Sequence, residues 1–271
     1  MRIRRSTPPR PPVLARILLL VLAAGSFYSW YELKTTSEIY DGVNAQLAAT
    51  SIPVHIANIE EHNIPVANYS LFRDGHLWTY VNKTNALGDT VLPQLVPIPV
   101  EHGDSSKPML VARLIAKPLR DMVESAHQDG LSLMVASAYR SREDQKKLYD
   151  GFMTERGQAF TVSHVAPPGT SEHQTGMAID MSSTSSACSA DSDKCELQSA
   201  GIVWLAQNAP RFGFIQRYPM GKQSVTGFAN EEWHYRYVGV PLAKALSASD
   251  MTFDEFVAQV APGYKKDVMS W

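Results

Sequence analysis

Ser171-Glu-His173-Gln-Thr-Gly176-Met-Ala-Ile-Asp180 sets an imidazole and a carboxylate seven residues apart, with a glycine between them. On a straight strand an odd spacing sends two side chains to opposite faces. Thr175-Gly176 can supply the turn that brings both inward, because glycine takes backbone conformations other residues avoid. Two more segments carry related chemistry: Ser137-Ala-Tyr139-Arg140-Ser141 and Glu231-Glu-Trp233-His234. A catalytic zinc takes about three His and carboxylate ligands and keeps a position open for water. His173, Asp180 and His234 make such a set. Glu231, three residues before a ligand, is the natural base for a metal-activated water. Its odd spacing from His234, with Asn230 just ahead, predicts a bend rather than a regular strand.

The bland readings of neighbouring residues stand beside these. His55, His62, His76, His102, His127 and His164 have no comparable surroundings and read as ordinary surface or core histidines. Glu172 and Glu232 read equally well as solvated charges. Trp233 and Tyr139 read either as packing under the site or as plain core aromatics.

Working outward, the hydrophobic spacing of Leu110, Leu114, Leu119, Met122, Val123 and Ala126 predicts a helix over 109–128, stopped by Gly130. Residues 131–136 read as a buried strand. Residues 141–153 read as a second helix, capped by Ser141 with Glu143 and Asp144 in its first turn. Strands are predicted over 178–181, 214–218 and 233–238, and a helix over 200–211 ending before Gly213. A final helical stretch runs over 241–260, with Ser249 or Asp250 capping its second part. The lead-in over 51–103 reads as loops and short extended pieces such as 77–81. This mixture predicts an α+β domain.

Farther out, residues 1–34 hold six of the 25 basic side chains and one of the 27 acidic ones. The net charge of −2 is therefore an average of about +5 at this end and −7 over the rest. That distribution excludes a general nucleic-acid binder, which carries a basic excess on its folded part. The arginines precede an apolar run, Ile17 to Tyr31, which predicts a membrane anchor with its basic end in the cytoplasm. Starting the span at Val13, with Arg16 snorkelling, makes its length workable. The alternative is a signal peptide cleaved near Ala24-Gly25-Ser26. The expected organisation is a cytoplasmic tail over 1–12, an anchor over 13–31, a stalk and irregular lead-in over 32–79, and an enzyme domain over 80–271. Either reading exports the domain. In an oxidising compartment Cys188 and Cys195, in a Ser/Asp-rich stretch, are expected to form a bridge.

The full strings resemble the VanY-type zinc D-alanyl-D-alanine carboxypeptidases. Their pattern runs S-x-Y-R-S, a Gln five after the Arg, S-x-H-x-x-G-x-A-x-D, then E-x-W-H. Residues 137–141, Gln145, 171–180 and 231–234 match it in order, and similarity extends over about 80–245. The resemblance implies a small mixed or antiparallel sheet flanked by helices around one zinc ion per chain. It implies that His173, Asp180 and His234 hold the metal and that Glu231 is the base. Arg140 would polarise the scissile carbonyl or hold substrate, with Gln145 and Ser171 lining the pocket for the terminal D-Ala. The expected substrate is a peptidoglycan stem pentapeptide outside a bacterial membrane, with no protein partner expected. L,D-carboxypeptidases acting on tetrapeptide stems share these residues, and an inactive wall-binding relative is the reading from another class.

Overall fold

The computed structural model describes residues 76–88, 94–102, 108–183 and 199–261. The segment expected to anchor the chain, most of the lead-in, and the stretch with Cys188 and Cys195 lie outside these residues. Among the described residues no helix is long and apolar enough to cross a membrane.

Four antiparallel strands form the central sheet: β3 (Leu133–Ser137), β4 (Ala178–Ser183), β5 (Phe214–Tyr218) and β6 (Glu231–Tyr237), in the order β3-β4-β6-β5. A two-stranded sheet precedes it, pairing β1 (Leu95–Pro97) with β2 (Leu110–Ala112). Helices α1 (Arg113–Gln128), α2 (Arg142–Glu155), α3 (Gly157–His164), α4 (Ser199–Asn208), a single turn α5 (Gln223–Thr226), α6 (Val240–Ser249) and α7 (Phe253–Val260) complete the α+β architecture.

Strand alternation divides the sheet's residues between a core and a site. Ile179 and Met181 of β4, with Tyr235 of β6, join the buried cluster that includes Ile115, Leu119, Met122, Val123 and Ala126 of α1. Each of the larger α1 side chains contributes about 1.5–3 kcal/mol by leaving water. Asp180 and His234, one step out of phase with these residues, point the other way. A second cluster packs Trp78, Ile215 and Val238 against α6 and α7. Trp78 is buried and its indole N–H donates to the Val238 carbonyl at 2.7 Å, so the packed unit takes in the end of the lead-in drawn at 32–79.

Several boundaries differ from the sequence reading. Leu110–Ala112 continues no helix. It pairs with β1, and the Ala112 N–H donates to Gly176 at 2.9 Å, so tertiary pairing overrides the helical spacing there. The extended piece at 77–81 is not a strand of either sheet. The stretch over 241–260 is two helices. Asp250 ends α6 in the left-handed conformation at φ 50°, and Thr252, not Ser249 or Asp250, caps α7 through a reciprocal box with Glu255. Ser141 caps α2 as expected, accepting from the Asp144 N–H at 3.1 Å. Helix α3 had no counterpart in the sequence reading.

Candidate active site

Sheet register puts two of the three expected ligands side by side. Asp180 on β4 faces His234 on β6 as a cross-strand pair, and the His234 Nδ1 lies 3.0 Å from Asp180 Oδ1. His173 comes from a 3-10 turn (Glu172–Thr175) just before β4, capped by Ser171, whose hydroxyl accepts from the His173 N–H at 3.3 Å. Gly176 ends that turn at φ 70°, a left-handed conformation that reverses the chain between His173 and Asp180. A Cβ at this position would lie 3.0 Å from both the Ala112 nitrogen and Leu95 Cδ2. The ligand-capable atoms of His173, Asp180 and His234 all lie within 4.8 Å of one another.

Glu231 joins them through an irregularity in β6. Gln216 pairs with Tyr235 and Tyr218 with Glu231, so β6 uses four residues where β5 uses two. The bend expected from the spacing is thus a bulge inside a strand, which turns side chains that regular alternation would separate. Glu231 Oε2 lies 3.8 Å from His234 Nδ1.

Hydrogen bonding fixes what these groups can do. His173 Nδ1 lies 2.7 Å from the Ala138 carbonyl, which can only accept, so that nitrogen carries the proton. Burial, reinforced by the Arg140 charge, lowers the His173 pKa to about 4 and keeps the ring neutral. Its Nε2 therefore presents a lone pair. It is buried without a well-formed hydrogen bond, and Asp180 Oδ2 is 3.2 Å away. Two acceptors so close in a buried site call for a cation between them. Two imidazoles and a carboxylate are the donor set zinc takes, so the residues present fit that metal.

The remaining shifts follow from the same crowding. Burial would raise Asp180, but the protonated His234, whose Nδ1 donates to Oδ1, outweighs it and holds the carboxyl well below the usual range. Burial would lower His234, but hydrogen bonds to Asp180 and Glu172 carry it up to about 9. Glu231 is pushed up to about 7 by burial, with the Asp180 charge adding to it against His234 and Arg140. That value suits a proton-transfer group near neutrality.

Glu172 corrects the sequence reading. It is 1% exposed, not solvated, and lies beneath His234 with Oε2 3.4 Å from Nε2. Its other oxygen accepts from Arg217 Nε at 2.9 Å and Arg236 Nη1 at 3.0 Å. Arg217 also holds Asp254 of α7, and Arg236 donates to the Leu77 and Thr79 carbonyls at 3.0 Å. The carboxylate thus ties His234 to a buried charge network, and such outer partners orient metal-binding imidazoles.

The site opens into a cavity of about 470 Å³. Arg140, Gln145 and Ser171 line it together with the metal-capable triad and Glu231. Gln145 is the one buried residue of α2; its Nε2 donates to the Ala166 carbonyl at 2.8 Å, and its Oε1 is buried without a partner. Two further differences from the sequence reading concern the walls. Trp233 does not pack under the site but is 39% exposed at the cavity, where Tyr218 instead packs beside His234 at 5.0 Å between ring centroids. His164, set aside as ordinary, is also part of the cavity wall.

A family model described as VanY, D-alanyl-D-alanine carboxypeptidase, matches residues 109–240. The chain is 36% identical over 183 residues to YodJ of Bacillus subtilis, named as a carboxypeptidase, covering 66% of each protein. It is also 36% identical over 155 residues to a D-alanyl-D-alanine carboxypeptidase of Enterococcus faecalis, covering 53% of this chain and 54% of that one. The chain thus spans just under two thirds and about half of these curated relatives. Among solved structures, a VanY D,D-pentapeptidase mutant from a VanB-type resistance cassette, in complex with Zn(II), superimposes with a TM-score of 0.57 at 31% identity, covering 65% of this chain and 96% of that one. The LD-carboxypeptidase LdcB gives 0.61 at 34% identity, covering 69% and 87%.

Proposed function

Because the chain belongs to the VanY family of D-alanyl-D-alanine carboxypeptidases, we propose that it is a zinc-dependent D,D-carboxypeptidase that removes the terminal D-alanine from peptidoglycan stem pentapeptides. The observation that carries this reading is the confrontation of the His173 Nε2 lone pair with Asp180, beside His234 and a buried Glu231. His173, Asp180 and His234 would hold the metal. A zinc ion there would supply a Lewis acid for the scissile carbonyl and lower the pKa of a water it binds to about 7.

The protein's own groups divide the rest. Glu231 takes the proton from the attacking water and returns it to the leaving amine of D-alanine. With the Asp180 charge offset by a metal at the triad, Glu231 would favour its proton-accepting form. Arg140 donates to the carbonyl oxygen as negative charge develops there, a contribution largest in a water-poor site. Ser171 and Gln145 receive the terminal residue, and the unpartnered Gln145 Oε1 suits a substrate N–H. Glu172 keeps the His234 ring oriented with Nδ1 toward the site. The narrow test is Glu231→Gln. The zinc content of this variant should equal that of the wild type while turnover of a D-Ala-D-Ala peptide falls by orders of magnitude. Wild-type turnover would remove Glu231 from the role of base.

L,D-cleavage of tetrapeptide stems is the second reading, favoured by the similarity to LdcB. The location proposed for this activity is outside a bacterial membrane, anchored by residues 13–31 or released after cleavage, on the strength of the basic and apolar pattern of residues 1–34 alone. A Cys188–Cys195 bridge is proposed on the same export argument.

A further inference from the structure

We propose that Lys83 is a positioning residue for the reaction: its side-chain nitrogen clamps the end of α3 to the turn over 227–230, and so fixes the cavity wall at Phe228 and the point where β6 presents Glu231. This rests on the proposed carboxypeptidase reading, in which Glu231 is the base, and adds to it a residue that does not itself line the cavity.

The turn that carries Lys83 is held on both sides. Asn82 and Asn85 exchange backbone hydrogen bonds at 3.2 and 3.1 Å, and Asn82 Oδ1 accepts from the Thr84 N–H at 3.0 Å. An asparagine that bonds the backbone two residues on fixes a turn locally. Asn82 Nδ2 donates to the Tyr80 hydroxyl, which donates in turn to Asp254 of α7, each at 2.7 Å. Beyond the turn, the Leu87 N–H donates to the Gly169 carbonyl at 2.8 Å. Lys83 therefore reaches out from a fixed backbone.

Its nitrogen meets two carbonyls from different elements, donating to those of Val162 and Gly227. Val162 lies in the last turn of α3, where carbonyls run out of N–H partners within the helix and a cation is favoured. Gly227 ends α5 in the left-handed conformation at φ 77°. The same nitrogen lies 4.0 Å from the centroid of the Phe228 ring, a cation–π distance. One more bond crosses this seam: the Ala229 N–H donates to the Ser163 carbonyl at 2.9 Å.

Two walls of the cavity meet along the seam. Helix α3 contributes Phe160 and His164, and the turn contributes Phe228, which is buried and packs on Tyr218 at 4.7 Å between ring centroids. Tyr218 packs beside His234 and pairs with Glu231 across the sheet. Glu231 follows Phe228 by three residues and is the first residue of β6. Burial lowers the Lys83 pKa and the Glu231 charge opposes it, so clamp and base share one electrostatic neighbourhood. Placement matters at this point, since about 1 Å of error in a reacting group can cost about 100-fold in rate.

The experiment uses Lys83→Met, which keeps an unbranched stem and removes the donors, and Lys83→Arg, which keeps both charge and donors. With zinc-loaded protein and a pentapeptide ending in D-Ala-D-Ala, Lys83→Met should lower kcat by about 10–100-fold and leave KM within about twofold. Its zinc content should equal that of the wild type, and Lys83→Arg should recover part of kcat. Hydrogen exchange in Lys83→Met should quicken about tenfold at the Ala229 amide and stay level in β3. Wild-type kcat in Lys83→Met, a loss confined to KM, or exchange quickened throughout the sheet overturns the assignment. Where Lys83→Met fails to fold, acylation of the wild type decides. Lys83, with two hydrogen bonds to break, should react at least about tenfold more slowly than the exposed Lys117 and Lys146, and equal rates refute the clamp. If the wild type cleaves no pentapeptide, the carboxypeptidase reading fails on its own, while exchange and acylation still decide whether Lys83 holds the two walls together.

Discussion

Replacing Glu172 by alanine should damage stability and metal binding together, because one buried carboxylate serves both. Its side chain is fully buried, and it accepts from Arg217 and Arg236 while facing His234 Nε2. Truncation leaves two guanidiniums short of their shared counter-charge in a site closed to water. Breaking a buried pair in this way costs about 3–5 kcal/mol. The residual contacts of Arg217 with Asp254, and of Arg236 with the Leu77 and Thr79 carbonyls, put the expectation at the lower end, about 3 kcal/mol. With a urea m-value of about 2 kcal/mol/M, the unfolding midpoint should drop by about 1.5 M. Loss of the orienting partner should weaken zinc binding by about 10–100-fold.

The pH dependence follows from the direction of the Glu172 shift. Burial would raise its pKa, but Arg217 and then Arg236 outweigh it and hold the folded-state value well below the ordinary one. A carboxyl depressed on folding stabilises the protein above its unfolded pKa of about 4.3, and that stability is lost as pH falls below it. The gap between wild type and Glu172→Ala should therefore be level from neutral pH to about 5 and narrow only in acid. Urea melts of the metal-free proteins and competition with a chromogenic chelator measure both effects. Wild-type midpoint and zinc affinity in Glu172→Ala would refute the reasoning, and Glu172→Gln, which keeps shape but not charge, should fall between the two.

Two further outcomes are expected. His234 in the metal-free protein has its pKa raised to about 9, so it is protonated at pH 7, and zinc binding should release about one proton from it. Calorimetry in two buffers of different ionisation enthalpy should then give different apparent heats, and affinity should rise with pH up to about 9; identical heats would count against the assignment of His234 as a ligand. Gly176→Ala places a Cβ against Ala112 and Leu95 at a left-handed φ, and should lower stability by about 1–3 kcal/mol while weakening zinc binding. A variant as stable as wild type in a urea melt would mean the turn between His173 and Asp180 tolerates a side chain.

The residues that meet at the candidate site were legible in the sequence because their chemistry is local. The 171–180 string brings two metal-capable side chains and the glycine that turns the chain, and 231–234 brings a carboxylate beside a third metal-capable one. Sheet order was not legible, since the pairing of Asp180 with His234 brings together residues 54 positions apart in the chain. Glu172 escaped for the same reason. Nothing beside it in sequence neutralises its charge; the partners come from β5 and β6. The odd Glu231–His234 spacing was read as a bend, and only pairing with β5 shows it as a bulge. Leu110–Ala112 had helical spacing but lies against β1 and Gly176, where strand pairing satisfies its backbone. His164 looked ordinary because its role depends on α3 folding back along α2 to line the cavity.

The central claim, zinc-dependent removal of a single terminal D-alanine, is tested most directly by incubating the purified protein with pentapeptide and tetrapeptide muropeptides in parallel and weighing the products. The account predicts that the pentapeptide loses the mass of one D-alanine, that the tetrapeptide is cut far more slowly, and that chelation stops the reaction until zinc is returned. An unchanged pentapeptide, a faster reaction on the tetrapeptide, or activity indifferent to the chelator would contradict it.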